Sequence, residues 1–146
     1  MTGTQSVSVT FFLDANVLIS AAWKANAEVA AIWQLEGVKL LTSIYVMAEV
    51  QRNLPQVSQI ERLRGFMTSA EVLLFPELSK TQPEIPELLL LPVKDRHVLA
   101  AAIHAKADYL ITGDKKHFSQ WFGKTIGGVR IEPPTDLLRF FRLRHP

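Results

Sequence analysis

Cysteine is absent from this chain of 146 residues, which excludes disulfide bonds, zinc–thiolate sites and thiol nucleophiles. An excess of one charge is also missing, because 16 basic residues nearly balance 14 acidic ones and leave a net charge of +2. Such a weak positive charge permits nucleic-acid binding but does not indicate it. No uninterrupted apolar run is long enough for a bilayer, and the polar segment 1–9 does not resemble a signal peptide. We therefore expect a soluble, cytoplasmic protein without a membrane segment.

Hydrophobic residues make up 48% of the sequence, which is enough to build a buried core in a chain of this length. We expect one globular domain over residues 1–146, with its core at about residues 9–138. Short runs rich in β-branched and aromatic residues alternate with helical patterns. This alternation predicts a parallel sheet covered by helices on both faces, a three-layer α/β/α domain with four or five short strands.

Residues that start or stop regular structure set the bounds of the predicted elements. Apolar runs predict strands at Val9–Leu13, 39–41, 71–75, 109–112 and 129–131. Helical patterns occupy residues 16–24, 27–36, 43–54, 59–68 and 95–107, and a last helix begins at Pro134. We expect Asn26 to cap the second of these helices and Ser43 to cap the third. The proline-rich segment 76–92 is predicted to be mostly loop.

Four acidic residues fall where a parallel sheet gathers its functional groups. Asp14 directly follows the first predicted strand, and Asp114 follows the strand 109–112 after a single glycine. Asp95 opens a helix whose apolar stripe should pack on the sheet, and Glu49 lies at the margin of the apolar stripe of helix 43–54. Because the carboxyl ends of parallel strands meet at one edge of a sheet, we expect these acids to converge on one cleft.

Carboxylates that share a cleft repel one another, and each favours protonation of its neighbours. A divalent cation removes that penalty, and oxygen ligands without cysteine favour Mg²⁺ or Mn²⁺ over zinc. Such a cation activates water and neutralises a phosphate oxygen, which is the chemistry of phosphodiester hydrolysis. Taken singly, Asp14 and Asp95 could be helix caps and Asp114 a turn residue. Glu49 alone could be a solvated helix residue, so the joint placement is what favours a metal site.

At these same positions the sequence resembles the PIN-domain family. The segment 12–20, which reads Phe-Leu-Asp-Ala-Asn-Val-Leu-Ile-Ser, is similar to the opening strand and first acidic motif of PIN domains. Glu49 matches the second, helical acid. Segments 95–102 and 109–118 look like the third and fourth motifs, and segment 131–138 resembles the closing strand and helix. The resemblance therefore runs over nearly the whole chain and is carried by the ordered set of motifs.

This resemblance implies a Rossmann-like α/β/α fold and a ribonuclease that needs Mg²⁺ or Mn²⁺ and hydrolyses single-stranded or looped RNA. The residues that it marks as catalytic and metal-binding are Asp14, Glu49, Asp95 and Asp114. It also implies that Asn16 and Thr112 orient ligands, water or phosphate. Lys115, in a small basic cluster with Lys116 and His117, is expected to contact phosphate or to lie in a solvated loop. Many small members of the family are VapC-type toxins of bacterial toxin–antitoxin pairs, so the expected partners are RNA, a cognate antitoxin and a second copy of the chain.

Three other functions deserve comparison with a ribonuclease. A DNA nuclease of the same fold would use the same acids, and these residues do not distinguish RNA from DNA. A non-catalytic nucleic-acid-binding module would keep the fold and lose the chemistry, yet here all four acids are present. A phosphatase of the haloacid-dehalogenase type also begins with an acid after its first strand. It needs a second aspartate two residues later, where this chain has Asn16.

Overall fold

A six-stranded sheet organises the residues that this computed structural model describes, 8–74 and 85–144. The strands are β1 Val9–Leu13, β2 Val38–Ser43, β3 Ala70–Leu73, β4 Tyr109–Ile111, β5 Thr125–Ile126 and β6 Val129–Glu132. Their spatial order is β3-β2-β1-β4-β6-β5, and all neighbours pair in parallel except β5 with β6. The predicted α/β fold with a central parallel sheet is confirmed.

The helices of the described residues alternate with these strands. They are α1 Ala15–Trp23, α2 Ile44–Arg52, α3 Val57–Met67, α4 Val93–His104, α5 Lys115–Phe118 and α6 Pro134–Arg144. Short 3₁₀ helices lie at Glu28–Gln34, Pro86–Leu90 and Ser119–Trp121. Ser43 caps α2 as predicted, because its hydroxyl accepts a hydrogen bond from the Val46 amide at 3.2 Å. Within the described ranges, no helix is both long enough and apolar enough to cross a bilayer.

The core lies on β1 and on the helices that cover the sheet. Phe11, Phe12 and Leu13 are fully buried in β1, the third strand of the six. Leu99 and the alanine run 100–102 of α4 are also buried, and these small side chains let the helix approach closely. Crossovers between parallel strands are right-handed, so the reversal of strand order after β3 places α1 and α4 on opposite faces.

Two predicted elements and the strand number were wrong. Residues 27–36 form the 3₁₀ helix Glu28–Gln34, and Asn26 has a left-handed φ of 60°, whereas an N-cap needs an extended backbone. The strand predicted to be buried at 71–75 is β3, whose place at the sheet edge leaves Glu71 and Val72 exposed. The sheet has six strands instead of four or five, because β5 pairs with β6 across the turn Gly127–Gly128. With two residues, β5 is shorter than the runs by which strands are predicted.

The proline-rich segment that we predicted as loop is described only in part. Residues 75–84 lie outside the described ranges, and they include residue 75, the last residue of the predicted strand 71–75. The remainder contains the 3₁₀ helix Pro86–Leu90, which buries Leu88 against the core. Its chain then passes directly into α4, the helix that carries Asp95.

The sheet topology creates a crevice beside β1. The chain moves outward from β1 through β2 to β3, and then returns to the other side of β1 as β4. The register pairs Leu13 with Ile111, so the next residues, Asp14 and Thr112, leave adjacent strands at the same edge. Crevices at such reversals of strand order are where α/β sheets bind their ligands.

Candidate metal centre

Asp14 is buried at the carboxyl end of β1, with only 5% of its surface exposed. Its Oδ1 accepts a hydrogen bond from the Ala15 amide at 2.7 Å, and its Oδ2 accepts one from the Thr112 hydroxyl at 2.8 Å. Burial raises the pKa of Asp14 from its ordinary 3.8 to about 6. The two hydrogen bonds oppose this rise, whereas the charges of Asp95 and Glu49 add to it. Asp14 is the N-cap residue of α1, as its reading as a helix cap requires. A helix cap alone, however, would not require other acids nearby.

Asn16 and Thr112 connect Asp14 to the loop that carries Asp114. The Thr112 hydroxyl donates to Asp14 and accepts from the Asp114 amide at 3.1 Å. Asn16 donates to Asp14 Oδ2 at 3.2 Å and accepts from the Gly113 amide at 2.6 Å. A Cβ on residue 113 would lie only 3.1 Å from the Asn16 Oδ1, so glycine allows this close approach. These hydrogen bonds fix the position of Asp14 relative to the loop that carries Asp114.

His117 joins Asp95 to Asp114, although the sequence indicated only a phosphate contact or a solvated loop for its cluster. Its Nδ1 lies 2.8 Å from Asp114 Oδ2 and 3.1 Å from Asp95 Oδ2. One ligand atom from each of these three residues lies within 4.8 Å of the other two. The sequence signal for this contact was the spacing of three residues between Asp114 and His117. Asp114 is the N-cap residue of α5, and its carboxylate accepts a hydrogen bond from the His117 amide at 3.2 Å. That turn brings the imidazole back over the carboxylate.

The Oδ2 atom of Asp95 is buried and has no hydrogen-bond partner among the described residues. The His117 Nδ1 is close, but its hydrogen bond is made to Asp114 Oδ2. Burial raises the pKa of Asp95, the His117 ring opposes this rise, and Asp114 reinforces it. Asp95 is not a helix cap, since it lies in the first turn of α4 after the cap residue Pro92. An unpartnered buried carboxylate oxygen is costly, and beside two other ligand atoms it fits a divalent cation.

A cavity of about 240 Å³ opens over the acids between α2 and α4. Asp14, Glu49 and Asp95 line it, together with the cations Arg52 and Lys94. Glu49 is half-buried, and its charge raises the pKa of both Asp14 and Asp95. Asp114 is not on the wall of this cavity, but its charge also raises the pKa of Asp95. Asp95 is therefore within electrostatic reach of each of the other three predicted acids, whereas the group of ligand atoms that lie within 4.8 Å of one another includes Asp95 and Asp114 but not Asp14 or Glu49.

Among the described residues, two basic side chains, those of His117 and Lys94, lower the pKa of Asp95 through their charge. Lys115 is exposed on α5, and no contact within the described residues joins it to the four acids. Lys94, on the first turn of α4, lines the cavity and lowers the pKa of Asp95 through its charge. A larger cavity of about 630 Å³ is lined by Asn16 and Gly113, among others, but by none of the four acids.

Removing the Thr112 hydroxyl should test how much the buried charge of Asp14 depends on its support. We expect Thr112→Val to lower the free energy of unfolding at pH 7.5 by about 1.5–3 kcal/mol, the range for a hydrogen bond to a charged group. The loss should shrink at pH 5, where Asp14 is largely protonated. Urea unfolding at both pH values measures the effect.

Thr42→Val is the matched control for Thr112→Val. Both threonines are buried, but the Thr42 hydroxyl donates to a neutral group, the Leu13 carbonyl, at 2.9 Å. Its loss should cost about 1 kcal/mol at either pH. Equal pH dependence in the two variants would show that Thr112 does not support a charged Asp14.

Comparison with known proteins identifies the family of this fold. A family model of the PIN domain matches residues 10–116, and the chain therefore belongs to the PIN-domain family, whose members are nucleases. No curated protein sequence matches the chain. The evidence for the family thus comes from the family model and from the fold.

Three solved structures are similar in fold. VapBC2 from Rickettsia felis, bound to a DNA fragment from the promoter, has a TM-score of 0.60 at 16% identity, covering 86% of this chain and 98% of that one. VapBC-1 from nontypeable Haemophilus influenzae has a TM-score of 0.55 at 19% identity, covering 87% and 99%. PAE2754 from Pyrobaculum aerophilum has a TM-score of 0.59 at 19% identity, covering 96% and 94%. At such identities the similarity establishes the fold alone.

Proposed function

We propose that this chain is an endoribonuclease that uses Mg²⁺ or Mn²⁺ to hydrolyse phosphodiester bonds in single-stranded or looped RNA. One observation carries the proposal: four carboxylates meet at one sheet edge, around a buried Asp95 oxygen without a hydrogen-bond partner. The nuclease character of the PIN-domain family supports it. The choice of RNA rests on the resemblance of the acidic motifs to those of ribonucleases.

Each residue of the site has a role in this proposal. Asp95 and Asp114 would hold the cation beside His117, and Asp14 and Glu49 would complete the acidic site from the β1 side. The bound cation supplies positive charge to a phosphate oxygen and lowers the pKa of water. Thr112 and Asn16 donate hydrogen bonds to Asp14 and so favour its charged form.

The cations around the cavity suit a phosphate backbone. Lys94 and Arg52 line the same cavity as the acids, so a phosphate that approaches the carboxylates also meets positive charge. Lys115 is retained in the proposal as a phosphate contact on the exposed side of α5. With so few basic side chains nearby, RNA should bind weakly. Its affinity should fall as the salt concentration rises, because each neutralised phosphate releases counterions.

The shape of the cavity favours an unpaired strand. Asp14, Glu49 and Asp95 line a small cavity between two helices, so an RNA strand must bend to bring a phosphate to them. Unpaired RNA can bend in this way, whereas paired strands resist it, and loops are the usual targets of sequence-specific RNA recognition.

A set of matched oligonucleotides tests the proposed substrate. With Mn²⁺, we expect cleavage of unpaired RNA and of the loop of an RNA hairpin, while duplex DNA stays at least about tenfold more resistant. Labelled unpaired RNA, hairpin RNA, single-stranded DNA and duplex DNA are incubated at two salt concentrations, and the product ends are sequenced. Equal cleavage of duplex DNA and looped RNA would replace the ribonuclease proposal with a DNA nuclease.

We further propose that the chain is the toxin of a toxin–antitoxin pair and acts in the cytoplasm. Two structures of similar fold are VapBC proteins, which supports a cognate antitoxin as partner. The homodimer that we also propose rests on the resemblance to the family. Leu89 and Leu90, shortly before α4, and Val93, its first residue, are large apolar side chains that are mostly exposed. They provide apolar surface for such a protein contact.

A further inference from the structure

An aromatic side chain lies at the edge of the acidic cavity and has no evident role in the fold. Tyr45 is 50% exposed on the first turn of α2 and lines the cavity together with Glu49 and Asp95. Among the described residues its hydroxyl has no hydrogen-bond partner, and its ring contact is with His97. A tyrosine that served the core would be buried, and its hydroxyl would be paired.

The rings of Tyr45 and His97 contact each other at the cavity. Their ring centroids are 6.0 Å apart and the ring planes differ by 21°, so the two rings are stacked. Tyr45 belongs to α2 and His97 to α4, the two helices that enclose the cavity, and both residues line it. The contact therefore holds an exposed aromatic face beside the carboxylates.

The position of Tyr45 on α2 relates it directly to the proposed cleavage site. Tyr45, Glu49 and Arg52 are spaced four and three residues apart, so they lie on one face of the helix and all three line the cavity. Neighbouring side chains on such a face are separated by about 5–6 Å between Cβ atoms. A base that stacks on Tyr45 thus belongs to a nucleotide next to the phosphate that lies over the acids.

We propose that Tyr45, supported by His97, is a substrate-binding residue on which one unpaired base of the RNA strand stacks, next to the phosphate that is cleaved. The inference rests on the proposed ribonuclease function. An aromatic face accepts any base, because every base offers a π-face, and the stacking requires a base that is not paired. Tyr45 would then help to select unpaired strands, and Arg52 and Lys94 would hold the adjacent phosphates.

Kinetics with an unpaired RNA and Mn²⁺ test the proposal. We expect Tyr45→Ala to raise KM about five- to hundredfold, the range for loss of one base–aromatic stack, with kcat within about threefold of the wild type. Tyr45→Phe should recover most of the lost affinity, because it keeps the ring. Trp23→Ala is the matched control, since Trp23 is an aromatic residue of similar exposure, 49%, that does not line the cavity. Melting curves confirm that each variant is folded.

Abasic nucleotides, placed one at a time along the RNA, locate the stacked base. At one position next to the cleaved bond, loss of the base should raise the wild-type KM as much as Tyr45→Ala does. The same abasic RNA should produce no further loss in Tyr45→Ala, because both changes remove one interaction. Additive effects at every position, or an unchanged KM in Tyr45→Ala, would overturn the stacking proposal while leaving the ribonuclease intact.

Binding separates the two proposals when no cleavage is seen. Fluorescence anisotropy of labelled unpaired RNA, in EDTA, measures affinity without hydrolysis. Binding that is weakened by Tyr45→Ala but not followed by cleavage with Mn²⁺ would support the stacking site and contradict the ribonuclease. A wild-type protein that neither binds nor cleaves unpaired RNA would overturn both.

Discussion

Asp95→Asn is expected to lower the rate of RNA hydrolysis at least about a hundredfold while the protein stays folded. The amide keeps the size of the side chain but removes the charge that the cation and the phosphate chemistry need. Asp14→Asn and Asp114→Asn should have effects of the same order. Turnover of an unpaired RNA with Mn²⁺, compared with melting curves for the same proteins, measures activity and folding separately.

Asp108→Asn is the control for these three substitutions. Asp108 is a carboxylate with a structural contact, since its Oδ2 accepts a hydrogen bond from the Thr10 amide at 2.8 Å before β4 begins, at the other edge of the sheet. Its amide variant should keep full activity and lose at most about 1 kcal/mol of stability. A purely structural role for Asp14 predicts the same pattern, in which activity is unchanged and about 1 kcal/mol is lost with the helix cap.

The free energy of unfolding of the metal-free wild type should fall, relative to that of Asp14→Asn, as the pH rises from 4 to 7. The folded protein binds the Asp14 proton with a pKa of about 6, whereas the unfolded chain binds it near 3.8. Between these values the folded state holds more protons, so raising the pH removes stability. The difference corresponds to about 3 kcal/mol at full deprotonation. Asp14→Asn has no proton to lose at this position and therefore lacks this contribution to the slope.

Urea unfolding in EDTA, at intervals between pH 4 and pH 7.5, measures both stability curves. The wild-type curve should drop below that of Asp14→Asn across this range, and saturating Mn²⁺ should remove the drop, because the cation binds the charged form of the folded state. Parallel curves for the two proteins would mean that Asp14 does not carry a raised pKa.

The sequence allowed the sheet and the positions of three acids to be predicted for simple physical reasons. Val9–Leu13 and Tyr109–Ile111 are short, strongly apolar runs, and the residues that follow a buried parallel strand must lie at its carboxyl edge. Asp14 and the loop of Asp114 therefore had to be close once β1 and β4 were neighbours. The apolar stripe of α4 placed Asp95 towards the same edge in the same way.

Other features depend on tertiary contacts that no local pattern contains. An apolar run does not show whether its strand is central or at the edge, which is why β3 was wrongly predicted to be buried. The approach of His117 to Asp95 joins residues on α5 and α4, and the stacking of Tyr45 on His97 joins α2 and α4. Such pairings become visible only when the helices are packed on the sheet. The unpartnered oxygen of Asp95 is likewise a property of the packed site and not of the sequence.

If these acids act together on one divalent cation, the metal-free protein must bind Mn²⁺, which calorimetric titration at pH 7 measures. We expect saturable binding by the wild type, at least about tenfold weaker binding by Asp95→Asn, and unchanged binding by Asp108→Asn. The expected loss follows from removing one charged ligand from an oxygen site whose affinity depends on ligand charge. Absence of binding by the wild type at millimolar Mn²⁺, or equal binding by wild type and Asp95→Asn, would show that these acids do not form a metal site.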